Sequence, residues 1–152
     1  MDKLEYLNDL KRHYIILGEE KNKVRECLFA CAIKDKDEYT LIALKSIDNQ
    51  RDISKLNIIT ERYPNDIDKK IIKIADIIIS NKNRGNGSIL MKYLFEYVNQ
   101  NSDIKKIIGT ISEVDQDHFD RLEHFYKKHG FKVAFYTNDK GERIAGDIEK
   151  EL

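Results

Sequence analysis

The sequence predicts a mixed α/β fold: a mostly antiparallel sheet flanked by helices, with one parallel pair of strands. Three observations predict it. IIKIADIIIS (Ile71–Ser80) is a near-continuous β-branched run, and ILMKYLFEYV (Ile89–Val98) repeats its apolar residues at helical spacing. Between them stands NKNRGNGS, in which Gly85 and Gly87 let the backbone turn sharply. KKIIGTIS then supplies a short strand, and a strand–helix–strand succession makes it parallel to its predecessor through a right-handed crossover.

The other elements follow in order. Leu4, Leu7, Leu10 and Tyr14 mark a first helix, with Lys11, Arg12 and His13 near its end where cations suit the dipole. Gly18 and the polar run GEEKNK close that helix. ECLFACAI and YTLIALKSI, separated by the charged KDKDE, read as a β-hairpin. KLNIITER and the turn YPNDID predict a second hairpin, pairing Asn57–Arg62 with the Ile71–Ser80 strand. Ile71, Ile72, Ile74, Ala75 and Ile77 to Ile79 read as a strand covered on both faces. After KKIIGTIS, HFDRLEHFYKKHGF is a helix ending at Gly130, and KVAFY, TNDKG and ERIAGDI finish the chain as a hairpin.

Composition sets the bounds. The 152 residues are read as one domain, 1–152, with a single sizeable core. Lys+Arg and Asp+Glu are equal at 27 each, so no basic field argues for a nucleic-acid partner. No apolar run approaches the roughly 20 residues of a membrane span. MDKLEYLNDLKRHY lacks the apolar core of a signal peptide. Cys27 and Cys31 on one strand face lie roughly 13 Å apart at ~3.3 Å per residue, beyond disulfide reach, and are read as reduced. The expectation is a cytoplasmic, soluble protein.

A helix N-terminus after a glycine turn offers N–H groups and a positive dipole end to an anion, most naturally phosphate, and Lys82 and Arg84 add cations. Two familiar phosphate motifs fail. The P-loop wants Gly-Lys-Ser/Thr, and Gly87 is followed by Ser88-Ile89; the dinucleotide fingerprint wants a small residue at position 90, which is Leu. A plain strand-to-helix turn is the bland alternative. Lys82-Asn83-Arg84-Gly85-Asn86-Gly87 resembles the Gln/Arg-x-x-Gly-x-Gly/Ala signature of the GNAT superfamily of N-acetyltransferases, with Lys82 where Gln or Arg is usual. RLEHFYKKHGF looks like that family's second motif, an aromatic-rich helix ending in Gly-Phe.

The resemblance covers roughly Lys70 to Tyr136, and it implies a GNAT-like sheet whose parallel strand pair is splayed. It implies acetyl-CoA as cosubstrate, its pyrophosphate on the turn Lys82, Asn83, Arg84, Gly85, Asn86, Gly87 and Ser88. Its pantetheine arm would run along the backbone of Ile78, Ile79 and Ser80. Tyr126 matches the tyrosine that many GNAT enzymes use to protonate the departing thiolate; a core aromatic is the competing reading. Asp76 and Glu113 are the carboxylates near the expected cleft, as base, with water as the alternative. The family often carries an Asn about eight residues before that Tyr, where His118-Phe119 stand here. It also places two helices between its first two strands, where this chain has a tight hairpin. That leaves a small-molecule or peptide amine as acceptor, or a non-catalytic acetyl-CoA-binding module, or a phosphate-binding domain for another nucleotide. His13, His118, His124 and His129 lack metal-ligand spacing, so no metal is assigned. An exposed sheet edge would allow a homodimer.

Overall fold

The strand expected at Ile71–Ser80 is part of a longer one, β5 (Asp66–Ile79), in a computed structural model that describes residues 2–35, 38–80 and 82–152. Along the chain stand α1 (Lys3–Lys11), β1 (Ile15–Lys21), β2 (Cys27–Asp35), β3 (Tyr39–Ser46) and β4 (Ser54–Tyr63). After β5 come α2 (Asn86–Asn99), β6 (Ile104–Ile111), a 3-10 helix (Glu113–His118), α3 (Phe119–Lys128), β7 (Lys132–Thr137) and β8 (Arg143–Glu151). Among the described residues eight strands form one sheet, ordered β1-β2-β3-β4-β5-β6-β8-β7. It is mostly antiparallel, with β5 and β6 as the parallel pair. The β2–β3 turn expected at KDKDE contains Lys36 and Asp37, which lie outside the described residues, as do Met1 and Asn81. No described helix is long and apolar enough to cross a membrane. The chain divides into two compact units, Met1–Ile59 with Asp76–Ser102, and Thr60–Ala75 with Asp103–Leu152.

In the first unit, Asp2 caps α1 by accepting from the Glu5 N–H at 2.8 Å. Tyr6 and Leu10 of α1 bury against Phe29 and Cys31, with Leu7, Tyr14, Ile16 and Ile47 around them. Residues 28–32 are all buried, so β2 is covered on both faces. α2 lies against β3, burying Leu90, Met91, Tyr93, Leu94 and Val98. One expectation is corrected here. The run from Gly18 does not close a helix: α1 stops at Lys11, and Ile15–Lys21 is the edge strand β1, antiparallel to β2 with an irregularity between Ile16 and Gly18. No residue of β1 is fully buried. The apolar run of IILGEEK is short, Ile15 to Leu17, and the glycine that ends it imitates a helix stop.

In the second unit, β5 runs parallel to β6 from Lys70↔Ile104 to Ile74↔Gly109. β8 pairs antiparallel with both β6 and β7. Gly109 admits Ile148 closely: a Cβ there would stand 3.0 Å from its Cδ1. Ile72, Ile74, Ile104, Ile107, Ile111, Phe119, Tyr126, Phe131 and Ile148 are buried. A second correction concerns β5. Ile72 and Ile74 are buried, but Ala75, Asp76 and Ile78 are exposed, so the strand is not covered on both faces along its length. Its isoleucines beyond Ile74 follow the last pairing with β6. β-branching records the extended backbone there, not burial.

α3 ends in a Schellman motif. The Phe131 N–H donates to the Tyr126 carbonyl at 3.0 Å and the Gly130 N–H to the Lys127 carbonyl at 3.0 Å, with Gly130 left-handed at φ 88°. The hydrophobic contact that accompanies this cap is Tyr126 on Phe131, edge to face, with ring centroids 5.5 Å apart. The Gly-Phe of the second sequence motif is thus first a helix terminator.

Candidate functional site

α2 begins on Gly85, which is left-handed at φ 82° and ψ 7° and supplies no side-chain cap. Two residues earlier Asn83 is also left-handed, at φ 68°. The backbone therefore reverses in one short turn into a 14-residue helix. The N–H groups of its first turn have no acceptor within the helix, and the dipole puts partial positive charge on them. A side chain at residue 85 would meet the stem of Lys23, whose Cγ stands 3.3 Å from the added Cβ. A helix start stripped of its own cap is what a phosphate group fits.

Two side chains of the turn, Arg84 and Asn86, are engaged elsewhere in the fold. The Arg84 guanidinium donates to Glu26 Oε1 at 2.5 Å, so its charge is engaged within the fold. Asn86, 1% exposed, lets its side-chain carbonyl accept from Asn22 Nδ2 at 3.0 Å and donates to Ser54 Oγ at 3.4 Å. Asn22 donates to Glu26 Oε1 at 3.0 Å, and its own oxygen accepts from the amides of Val24 and Glu26. The Lys23 N–H donates to the Arg84 carbonyl at 2.8 Å. The turn between β1 and β2, residues 22–26, thus backs directly onto the glycine turn.

The remaining residues read from the sequence are placed as follows. Lys82 and Asn83 are exposed, Ser88 is half-buried, and Gly87 is buried in the first turn of α2. Ser80 is occupied within the fold: its hydroxyl donates to Asp52 and accepts from the Ile53 N–H, and its own N–H donates to the Ile53 carbonyl at 2.9 Å. Asp52 Oδ2 is buried without a partner among the described residues. Ile78 and Ile79 close β5, one exposed and one half-buried; Asp76 is exposed on the same strand. Glu113 is exposed and opens the 3-10 helix after the Ser112 cap, one step beyond the strand end expected for it. Tyr126 is buried, its ring edge-on to both Phe125 and Phe131. Of these residues the structure joins Arg84 and Asn86 through Asn22 and Glu26. Tyr126 and Glu113 belong to the second unit.

Asn22, Lys23, Glu26 and Ser54 escaped the sequence reading. Their signal was present but small: an Asx-turn, in which an Asn side chain accepts from the amide two residues on, begins inside the polar run read as closing the first helix. Among the described residues no group of three or more His, Cys, Asp or Glu could hold a metal. Burial pushes the Cys31 thiol up to about 11.

No protein-family model matches the chain. It is 33% identical over 130 residues to the uncharacterized protein YocC of Bacillus subtilis (strain 168), spanning 86% of this chain and 74% of YocC. It is similar in structure to an acetyltransferase of the GNAT family from Streptococcus pneumoniae, with a TM-score of 0.52 and 21% identity over 74% of this chain and 67% of that one. It is also similar to Arabidopsis thaliana NAA60 in complex with acetyl-CoA, with a TM-score of 0.56 and 10% identity over 76% and 77% of the two chains. At these identities the likeness to solved structures is one of fold. The chain has the fold of the GNAT acetyltransferases and belongs to the same protein family as YocC.

Proposed function

We propose that the protein is an N-acetyltransferase that moves an acetyl group from acetyl-CoA directly to a primary amine, with no covalent enzyme intermediate. One observation carries the reading: α2 starts on a left-handed, uncapped Gly85 immediately after the strand and turn that match the family's signature, in a fold shared with an acetyl-CoA complex. Acetyl-CoA, when bound, supplies an activated acyl group. The amides of Asn86 and Gly87, with those of the rest of the turn, hold the pyrophosphate, and exposed Lys82 adds charge beside it. Arg84 contributes less than its position in the motif suggests, because Glu26 already neutralises it. The backbone of Ile78, Ile79 and Ser80 takes the pantetheine arm. Tyr126 donates its phenolic proton to the departing sulfur, a role that rests on the second sequence motif. Asp76, Glu113 or a water takes the proton that the attacking amine sheds.

The acceptor is an amine of a small molecule or a peptide. Two thiols left unlinked suit the reducing cytoplasm. A second reading, a module that binds acetyl-CoA without turning it over, is favoured by one observation: only residues 36–38 separate β2 from β3, too few for the two helices that the resemblance implies between these strands. Calorimetry with acetyl-CoA, followed by an amine screen that reads free CoA release, tests both. Binding with release supports the enzyme. Binding with no release across small amines and peptides leaves the module. No binding overturns both.

A further inference from the structure

The first turn of α2 has little local means of holding its shape. Gly85 gives it no side-chain cap, and Gly87 is a poor helix former in the first turn, so an isolated start of this kind would fray. What fixes it comes from elsewhere in the first unit. Asn22 is 7% exposed, and all of its side-chain hydrogen-bonding capacity is used. Its oxygen takes the amides of Val24 and Glu26, which folds its own turn. Its nitrogen donates to Glu26 Oε1 and to Asn86 Oδ1, which reaches across to the helix. Asn86, fully buried, carries the contact on to Ser54 at the start of β4. The side chain of Asn86 is therefore turned inward and tied to two other elements, which fixes the place of the first residue of α2.

We propose that Asn22 is a positioning residue for the pyrophosphate site: through the Asn86 side chain it anchors the first residue of α2 from another element. The inference rests on the functional reading above. Asn22 touches no cofactor. It acts through Asn86, and the Arg84–Glu26 pair and the Lys23–Arg84 backbone bond hold the two turns at the distance the contact needs.

A double-mutant cycle on CoA affinity tests it. Asn22→Ser keeps an oxygen for the Val24 amide but is too short to reach Asn86; Asn86→Ser cuts the same contact from the helix side. Calorimetry with CoA on the wild type and the three variants should show each single variant weakened about tenfold, and the double variant no weaker than either single. A purely structural role predicts lower melting temperatures with unchanged CoA affinity, or losses that multiply in the double variant. Either result overturns the proposal. If Asn22→Ser does not fold, Asn86→Ser alone decides: unchanged affinity overturns the inference, and a tenfold loss supports it. A wild type that fails to bind CoA overturns the functional reading, and this inference with it; a wild type that binds while the variants bind equally overturns the inference alone.

Discussion

The phenol of Tyr93 on α2 lies directly over Gly18 of β1, so close that a Cβ at residue 18 would collide with its hydroxyl. The same hydroxyl donates to Glu20 Oε1 at 2.9 Å, two residues further along the strand. Lys92 reaches that carboxylate as well, and the two contacts hold Glu20 below the usual carboxylate range. Gly18 does not have positive φ, so it is there for room and not for a turn.

Gly18→Ala should therefore destabilise the protein by about 1–3 kcal/mol, the usual cost of overpacking. In a Tyr93→Phe background, where the hydroxyl is gone, the same substitution should cost less by at least about 0.5 kcal/mol. Urea unfolding midpoints of the four proteins measure this. Equal costs in both backgrounds would assign the penalty to β1 backbone conformation instead.

Gly87→Ala should weaken CoA binding by more than about 1.4 kcal/mol, one decade, while helix content is kept. Alanine is a better helix former than glycine, so any loss of affinity at preserved circular dichroism belongs to the site. Arg84→Ala should cost less affinity, because its guanidinium is already on Glu26. CoA calorimetry on both variants gives the ranking, and the reverse order would restore Arg84 as a main phosphate ligand.

Tyr126→Phe keeps the ring that packs on Phe131 and should leave the melting temperature and CoA affinity near wild type. Turnover, once an acceptor is in hand, should fall about 10²-fold, the scale of losing a general acid. Tyr126→Ala, by contrast, should cost about 3–5 kcal/mol of stability through the emptied core and the weakened cap. Near-wild-type turnover in Tyr126→Phe would leave the residue as a helix terminator.

His129, the C-cap of α3, packs edge-on against Phe125 at 4.9 Å. Burial, and then Lys128 and Lys150, lower its pKa. A histidine depressed in the folded state takes up protons more readily when unfolded, so its contribution is complete above about pH 6.5 and is lost as pH falls through the lowered folded value. Melting temperature should drop on acidification below that point, and His129→Gln should drop less. Parallel curves for the two proteins would put the acid sensitivity elsewhere.

Reductant should not move the melting temperature. Cys27 and Cys31 are both free and lie on one face of β2, four residues apart along an extended chain. A shift on adding dithiothreitol would mean a bridge between molecules.

What could be read from the sequence divides by the kind of signal. The strand, turn and helix from Ile71 to Val98, the parallel return at β6 and the Gly130 stop were legible because period, glycine and β-branching all agreed there. β1 was not, because its apolar run stops after Leu17, and the glycine that follows answers to Tyr93, which lies 75 residues further along. The site divides the same way. The backbone of the glycine turn could be read from its own residues, but the side chains of Arg84 and Asn86 could not. Their partners Glu26 and Asn22 are brought to them by sheet pairing, at separations of 58 and 64 residues. Local pattern reports where a chain turns; it does not report what waits on the far side of the turn.

Residues 22–26 do two jobs at once, and that limits how this chain can change. A hairpin turn at the edge of a sheet is ordinarily the cheapest place to insert sequence. Here a lengthened turn would withdraw Asn22 and Glu26 from the start of α2. The connection is thus closed to insertion, and the chain could lengthen only at loops other than this one.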